Sequence, residues 1–158
     1  MPLTGEDEDF LRRALELATE ARASGNHPFG ALLVGADGTV LAEARNSVVT
    51  GRDATGHAET NLVRLAGQVD ADLSICTLYT STEPCAMCSG AIYWSGIGRV
   101  VFALSEVDLL ELTGTGNPDN PTLALPSREV FARGQRPVAV EGPALVDDAR
   151  AVHDGFWT

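Results

Sequence analysis

Two short segments, "HAE" at positions 57–59 and "PCAMC" at positions 84–88, most constrain what this chain can fold into. Each stands at the start of a predicted helix: "HAETNLVRLAG" has apolar residues at helical spacing, and "PCAMCSGAIYWSG" opens with proline and closes with glycine. Residues three apart lie about 60° from each other around a helix, so Cys85 and Cys88 present their sulfur atoms on one face. The first turn of a helix also favours the thiolate form of cysteine.

His57 and Glu59 are two positions apart, which places them roughly 200° from each other on a regular helix. They reach a common site only if His57 stands at the entrance of its helix, where the backbone is not yet regular. One histidine and two cysteines then make three metal ligands, the pattern of a catalytic zinc site with an open fourth position. Glu59 falls beside that position, where a carboxylate can accept a proton from water and deliver it to a substrate.

The cysteine pair has two other interpretations, a redox dithiol and a structural zinc site. Taken alone, a C-x-x-C pair is also typical of redox dithiols and of structural zinc sites. The redox interpretation leaves His57 and Glu59 unexplained. A structural zinc site needs a fourth ligand, and none is obvious, because Cys76 lies within the predicted strand "SICTLYT" and is expected in the core, while His27 and His153 lie in less constrained contexts. The sequence therefore favours catalytic zinc.

Helical and strand patterns alternate along the chain and predict one α/β domain over residues 1–158, with no internal repeat. An amphipathic helix capped by Thr4 precedes a hairpin around the turn "ADGT", and a second helix begins at about His57. The later elements are a strand, the cysteine-bearing helix, a strand, a helix, a short strand and a helix, in the segments "SICTLYTS", "PCAMCSGAIYWSG", "GRVVFAL", "SREVFARG", "RPVAVEG" and "ALVDDARAVHDGFW". The turn-rich stretch from Leu112 to Pro126 predicts a functional or partner-facing loop.

The charge balance excludes some classes of partner. The chain has 22 acidic and 11 basic residues, a formal charge of −11, and every basic residue is an arginine. Phosphate binding draws on clustered lysine and arginine, so we expect no nucleic-acid partner. Short apolar runs and the acidic start "MPLTGEDEDF" predict neither a membrane span nor a signal peptide. We therefore expect a soluble cytoplasmic protein that does not associate with a membrane. An odd number of cysteines, three, argues against a disulfide framework.

The motifs resemble those of the cytidine deaminase-like superfamily, in the branch that holds bacterial guanine deaminases and tRNA adenosine deaminases. H-x-E followed by P-C-x-x-C is the signature of zinc-dependent nucleobase deaminases. Between about residues 28 and 104 the matching segments are "PFGALLV", "ARNSV", "GHAETNLVRLA", "LYTSTEPCAMCSGAIYW" and "RVVFAL". The resemblance implies a three-layer α/β/α fold with a five-stranded mixed sheet, Zn²⁺ on His57, Cys85 and Cys88, and Glu59 as proton shuttle.

Within that branch, "PFGA" and "GAIYW" resemble the guanine deaminase versions of these motifs. Phe29 and Trp94 are then expected as aromatic walls of a base pocket, and Asn46 matches the asparagine that hydrogen-bonds the substrate in the family. Asp119 lies where guanine deaminases carry an acidic residue that reads the base. The expected partners are water and a purine-like small molecule, most closely guanine. Guanosine, adenine, cytosine and an amino-triazine remain open, as do a tRNA adenosine deaminase and a non-enzymatic zinc or redox module.

The chain ends in "HDGFWT", which places two large aromatic residues in a predicted helical tail. Large aromatic side chains at a chain end are seldom left in water. Phe156 and Trp157 therefore predict an interface or a lid over the pocket, and with it a homodimer.

Overall fold

The computed structural model describes residues 3–158 and shows a five-stranded sheet flanked by helices on both faces. The strands are β1 (Gly30–Val34), β2 (Val40–Arg45), β3 (Thr77–Thr82), β4 (Arg99–Leu104) and β5 (Ala139–Glu141). The helices are α1 (Gly5–Ala23), α2 (Ala58–Ala66), α3 (Ala86–Ser95), α4 (Glu106–Thr113), α5 (Ser127–Ala132) and α6 (Val146–Ala151), with a short 3₁₀ turn at Leu73–Ile75. Within these residues no helix is long and apolar enough to cross a bilayer.

The sheet is mixed, with strand order β2-β1-β3-β4-β5. β1 pairs antiparallel with β2 and with β3, whereas β3, β4 and β5 run parallel. The carboxyl ends of β3 and β4 therefore lie side by side, with Thr82 opposite Leu104. Ligand sites of open α/β sheets lie beyond this end of the strands.

Alternate side chains of the strands point to opposite faces and build two cores. Leu32, Tyr79 and Val101 pack with α1, α4 and α6 on one face. Leu33, Leu78 and Val100 pack with α2, α3 and α5 on the other. The three-layer α/β/α arrangement with a five-stranded mixed sheet is thus as predicted.

A polar cluster ties α1 to the sheet. Thr4 and Asp7 form a capping box at the start of α1, and Asp7 is only 5% exposed. The Asp7 carboxylate also accepts hydrogen bonds from the Tyr79 hydroxyl at 2.6 Å and from the Arg99 guanidinium at 2.9 Å. Burial alone raises the pKa of Asp7, but these hydrogen bonds outweigh burial and hold the pKa well below its usual range.

The structure differs from the prediction at two elements. α4 was not predicted. Its N-cap is Ser105, whose side chain accepts a hydrogen bond from the Asp108 backbone, and the serine and acidic residues "SEVD" are the local signal for its start. The final helix, α6, spans only Val146–Ala151, and the residues after it form turns.

Candidate metal centre and substrate pocket

Two helix entrances bring the predicted metal ligands together. His57 is the N-cap of α2, Cys85 is the N-cap of α3, and Cys88 lies in the first turn of α3. His57 Nδ1 is 3.6 Å from the sulfur of Cys85 and 3.6 Å from that of Cys88. The prediction that His57 stands at the helix entrance is therefore confirmed.

The three donor atoms fit a zinc ion. They all lie within 4.8 Å of one another. Zinc bonds of the usual length arranged tetrahedrally separate a nitrogen and a sulfur ligand by about 3.5 Å, which agrees with both distances from His57. Among the histidine, cysteine and acidic side chains of residues 3–158, His57, Cys85 and Cys88 form the group whose ligand atoms are close enough to hold a metal ion.

The electrostatics of the sulfur atoms also suit a cation. The hydrogen bond with Cys88 lowers the pKa of Cys85, and the same contact, together with burial, raises the pKa of Cys88. A divalent cation in contact with both sulfurs stabilises both thiolates. The Thr60 hydroxyl lies 3.1 Å from the Cys88 sulfur and can donate to that thiolate.

Glu59 lies in the first turn of α2 and is 5% exposed. Its Oε1 accepts a hydrogen bond of 2.5 Å from the hydroxyl of Thr80 on β3. Burial raises the pKa of the Glu59 carboxyl. It lines the same cavity as His57 and Cys85, so the structure places this carboxyl beside the metal centre as the sequence predicted.

The cavity has a volume of about 460 Å³, a size typical of small-molecule sites. Its floor carries the His57, Glu59 and Cys85 side chains, and its other walls come from the loop before α2, the start of α4 and the loop after α4. Apolar side chains of Phe29, Val48, Leu109 and Leu123 enclose it. A flat, apolar ring with a few polar atoms at its edge matches this lining.

Phe29 and Asn46 both line the cavity, as predicted. Asn46 is 3% exposed, and its backbone N–H donates to the Phe29 carbonyl at 3.0 Å. Asn46 Oδ1 accepts a hydrogen bond from the Val48 backbone, which fixes the orientation of the amide. The amide NH₂ of Asn46 makes no hydrogen bond with any of residues 3–158 and is free to donate.

Asp119 also lines the cavity, although its side chain is exposed in an irregular loop. Asp119 lies near His27, which also lines the cavity and was not predicted as a site residue. Burial lowers the pKa of His27, and the charge of Asp119 partly offsets this effect. The loop thus brings an acidic side chain to the mouth of the pocket.

The prediction for Trp94 is corrected by the structure. The Trp94 side chain is 85% exposed, contacts the ring of Tyr93 and does not line the cavity. Residues two apart lie roughly 200° around a helix, so Trp94 points away from the core-facing side of α3 that Ile92 occupies. It is neither a pocket wall nor a core residue.

The aromatic tail folds back onto its own chain. The Trp157 indole N–H donates to His153 Nδ1 at 2.9 Å, and its ring lies 5.2 Å from His27 and 6.1 Å from Phe29. Phe156 packs against His27 as well. The tail therefore supports two residues that line the pocket. Phe156 and Trp157 are half-buried against their own chain, whereas the prediction gave them to an interface or a lid.

Sequence reasoning missed two further polar residues at the ends of the parallel strands. Thr82, the last residue of β3, and Glu106, the first of α4, both line the cavity and are 2% and 5% exposed. Glu83 lies between them and accepts hydrogen bonds from the Glu106 backbone at 3.1 Å and from Ser127. Only the parallel pairing of β3 with β4 brings these positions together, so no local sequence signal marks them.

A three-donor metal centre, a buried carboxyl beside it and a cavity of substrate size define a metal-dependent hydrolase. The family model for the cytidine and deoxycytidylate deaminase zinc-binding region matches residues 4–104, more than half of the chain. The chain belongs to this family and is a zinc-dependent deaminase.

Individual relatives differ in the substrate they are named for. A probable cytosine deaminase of Schizosaccharomyces pombe is 45% identical over 155 residues, covering 98% of this chain and 94% of that protein. Guanine deaminase of Bacillus subtilis is 46% identical over 107 residues, covering 66% of this chain and 68% of that protein. A solved structure of guanine deaminase from Nitrosomonas europaea matches with a TM-score of 0.74 at 29% identity, covering 96% of this chain and 84% of that one.

Proposed function

We propose that the enzyme removes the exocyclic amine of guanine, or of a close small-molecule relative, by hydrolysis to xanthine and ammonia. The observation that carries this proposal is the largely apolar cavity of about 460 Å³ directly over the metal centre and Glu59. A free base fits such a cavity without contacts to phosphate. The likeness to guanine deaminases from two bacteria supports the same substrate.

In this mechanism, His57, Cys85 and Cys88 hold the zinc ion. A zinc ion held by these three residues would lower the pKa of a bound water molecule and so supply a nucleophile at neutral pH. Glu59 accepts a proton from the attacking water and passes it to the ring nitrogen beside the reacting carbon. It then accepts the remaining proton of the newly formed hydroxyl group and delivers it to the departing amine. Thr80 holds the Glu59 carboxyl in place through its hydroxyl.

Three further side chains orient the base. Phe29 provides an aromatic wall, and the Asn46 NH₂ donates a hydrogen bond to an acceptor atom of the ring, since its own Oδ1 is already engaged by Val48. Asp119 at the pocket mouth accepts from a ring N–H. Asp119 thus favours bases with an unsubstituted N–H at that edge.

Cytosine is the second candidate substrate. It is favoured by the likeness of nearly the whole chain to a probable cytosine deaminase. A tRNA substrate is disfavoured because the formal charge is −11 and there is no lysine, so a cationic groove would oppose the field of the whole protein. We propose a small-molecule enzyme of the cytoplasm that binds no nucleic acid.

The proposal of a homodimer now rests on a different surface from the one predicted. The tail is packed on its own chain, whereas Trp94 and Met87 of α3 are 85% and 38% exposed. Residues seven apart lie on one face of a helix, and a contiguous exposed apolar patch marks an association surface. Light scattering should give a mass of two chains, and the Trp94→Glu protein should be monomeric; a wild-type monomer contradicts the proposal.

An ammonia-release screen tests the substrate directly. The zinc-loaded protein is incubated with guanine, guanosine, adenine, cytosine, cytidine, ammeline and tRNA, and the Glu59→Gln protein serves as the control for contaminating deaminases. We expect guanine to give the highest kcat/KM and tRNA to give no inosine at physiological salt. A preference for cytosine transfers the assignment to the second candidate, and inosine in tRNA with no release from free bases overturns both.

A further inference from the structure

Glu106 is a buried carboxyl that the fold does not use. It is 5% exposed, it is the first residue of α4, and it lines the cavity over the metal centre. Its backbone N–H donates a hydrogen bond to Oε1 of Glu83, the residue that follows β3, so this contact does not involve the Glu106 side chain. The Glu106 side chain forms no hydrogen bond or ion pair with any of residues 3–158. A largely buried carboxyl that lines a cavity and has no partner in the protein is placed to bind a ligand there.

Burial favours the uncharged form of the carboxyl. Burial, with the charges of Cys85, Glu59 and Glu83, raises the pKa of Glu106 to about 9. A neutral carboxylic acid differs from a carboxylate in that it offers one donor and one acceptor side by side.

The neighbouring wall also has unused hydrogen-bonding capacity. Thr82 ends β3 next to the strand that leads into α4, and it lines the same cavity. Its hydroxyl is buried and has no partner among residues 3–158. Two adjacent strand ends therefore present polar groups that a ligand in the cavity is placed to satisfy.

We propose that Glu106 determines substrate specificity by pairing through its carboxyl group with the lactam edge of the base, where a ring N–H stands next to a carbonyl. The acid O–H donates to the carbonyl oxygen, and the acid carbonyl accepts from the ring N–H. Guanine carries this edge at N1 and C6, and cytosine carries it at N1 and C2, whereas adenine has none. The inference rests on the proposed function in that the ligand is a deaminase substrate, and it names the part of the ring that is read.

A matched pair of substrates tests this contact. 2-Aminopurine keeps the reactive amine of guanine at C2 but lacks the 6-carbonyl and the N1–H. The measurement is the ratio of kcat/KM for guanine to that for 2-aminopurine, in the wild type and in the Glu106→Leu and Glu106→Gln proteins. Leucine removes both hydrogen-bonding groups, whereas the glutamine carboxamide keeps a donor and an acceptor.

Two hydrogen bonds to a buried group set the expected size of the effect. The ratio should fall roughly 10- to 100-fold in Glu106→Leu, mostly through KM, because a lost hydrogen bond in a closed site costs about 1–3 kcal/mol. In Glu106→Gln the ratio should stay within about threefold of the wild type, because the carboxamide restores the pairing. Zinc content and melting temperature show whether each variant is folded.

The outcomes separate this inference from the proposed function. If guanine is turned over and Glu106→Leu leaves the ratio unchanged, or if Glu106→Gln is as impaired as Glu106→Leu, the inference is wrong while the function stands. If cytosine is the substrate, the function is wrong and the same ratio is measured with cytosine and 4-aminopyrimidine, which lacks the 2-carbonyl. Turnover confined to bases without a lactam edge, or no turnover of any base with one, overturns the inference.

Discussion

Replacing Glu59 by glutamine should abolish turnover without loss of zinc. Glutamine keeps the shape of the side chain, and its carbonyl can still accept the hydrogen bond from Thr80 that Glu59 Oε1 receives. It cannot accept a proton from water. Because Glu59 is only 5% exposed, little solvent surrounds the position from which the carboxyl accepts this proton.

The size of the effect follows from the number of proton transfers that Glu59 serves. One positioned general acid or base contributes roughly 10²- to 10⁴-fold to the rate. Glu59 acts on the water, on the ring and on the departing amine, so we expect kcat to fall by at least about 10³-fold, or about 4 kcal/mol of activation free energy. Because Glu59 is not one of the three grouped metal donors, the zinc content should stay at about one ion per chain.

The assay compares ammonia release with zinc content in the same preparation. The matched control is Thr80→Val, which removes the hydrogen bond to the Glu59 carboxyl and keeps the carboxyl itself. It should lose about tenfold or more in kcat with little change in KM, since a hydrogen bond to a charged group contributes about 1.5–3 kcal/mol. A Glu59→Gln protein with full zinc and more than a tenth of wild-type kcat would refute the assigned role.

Three further results are expected. Cys88→Ala should lose zinc in metal analysis, since three ligands leave no redundancy; full zinc would contradict the site. Asp7→Asn should lower the free energy of unfolding by about 2 kcal/mol at pH 7, because Arg99 loses its buried partner. This difference should shrink progressively as pH falls below about 4, where the carboxyl of the unfolded chain becomes protonated, and should vanish only below the lowered pKa of Asp7 in the folded protein; a constant difference contradicts it. Burial lowers the pKa of His153 to about 4, so the neutral ring contributes stability that is fully present above about pH 6.5 and is lost as pH falls towards 4. The protection of the Trp157 indole N–H from exchange, relative to its chemical rate at the same pH, should therefore fall between pH 6.5 and 4; unchanged protection would contradict this.

The metal centre could be predicted from the sequence because its geometry is local. Each ligand stands at a helix entrance, and capping and periodicity mark such entrances in the residues themselves: His57 before α2, and Cys85 before α3. The ligands come together because both helices pack on the same sheet, an arrangement that the family resemblance implied. The five-stranded mixed sheet likewise agreed with what the resemblance implied.

The pocket walls could be predicted only in part. Trp94 was misplaced because its position depends on the rotation of α3 about its axis, which the apolar character of "GAIYW" on both faces does not specify. Glu106 was missed because its burial arises from parallel pairing of distant strands and from the unpredicted α4. Asp119 reached the pocket through an irregular loop, whose path follows from tertiary contacts rather than from periodicity.

The most direct measurement of the central claim follows guanine, xanthine and ammonia together, first with metal-depleted protein and then after zinc is added back. The three grouped donors and the buried Glu59 in the cavity predict hydrolysis that depends on the metal. Zinc-reconstituted protein should release one ammonia for each xanthine formed, and the depleted protein should release none. Ammonia release that is independent of zinc, or the absence of xanthine from the zinc-loaded protein, would contradict the account.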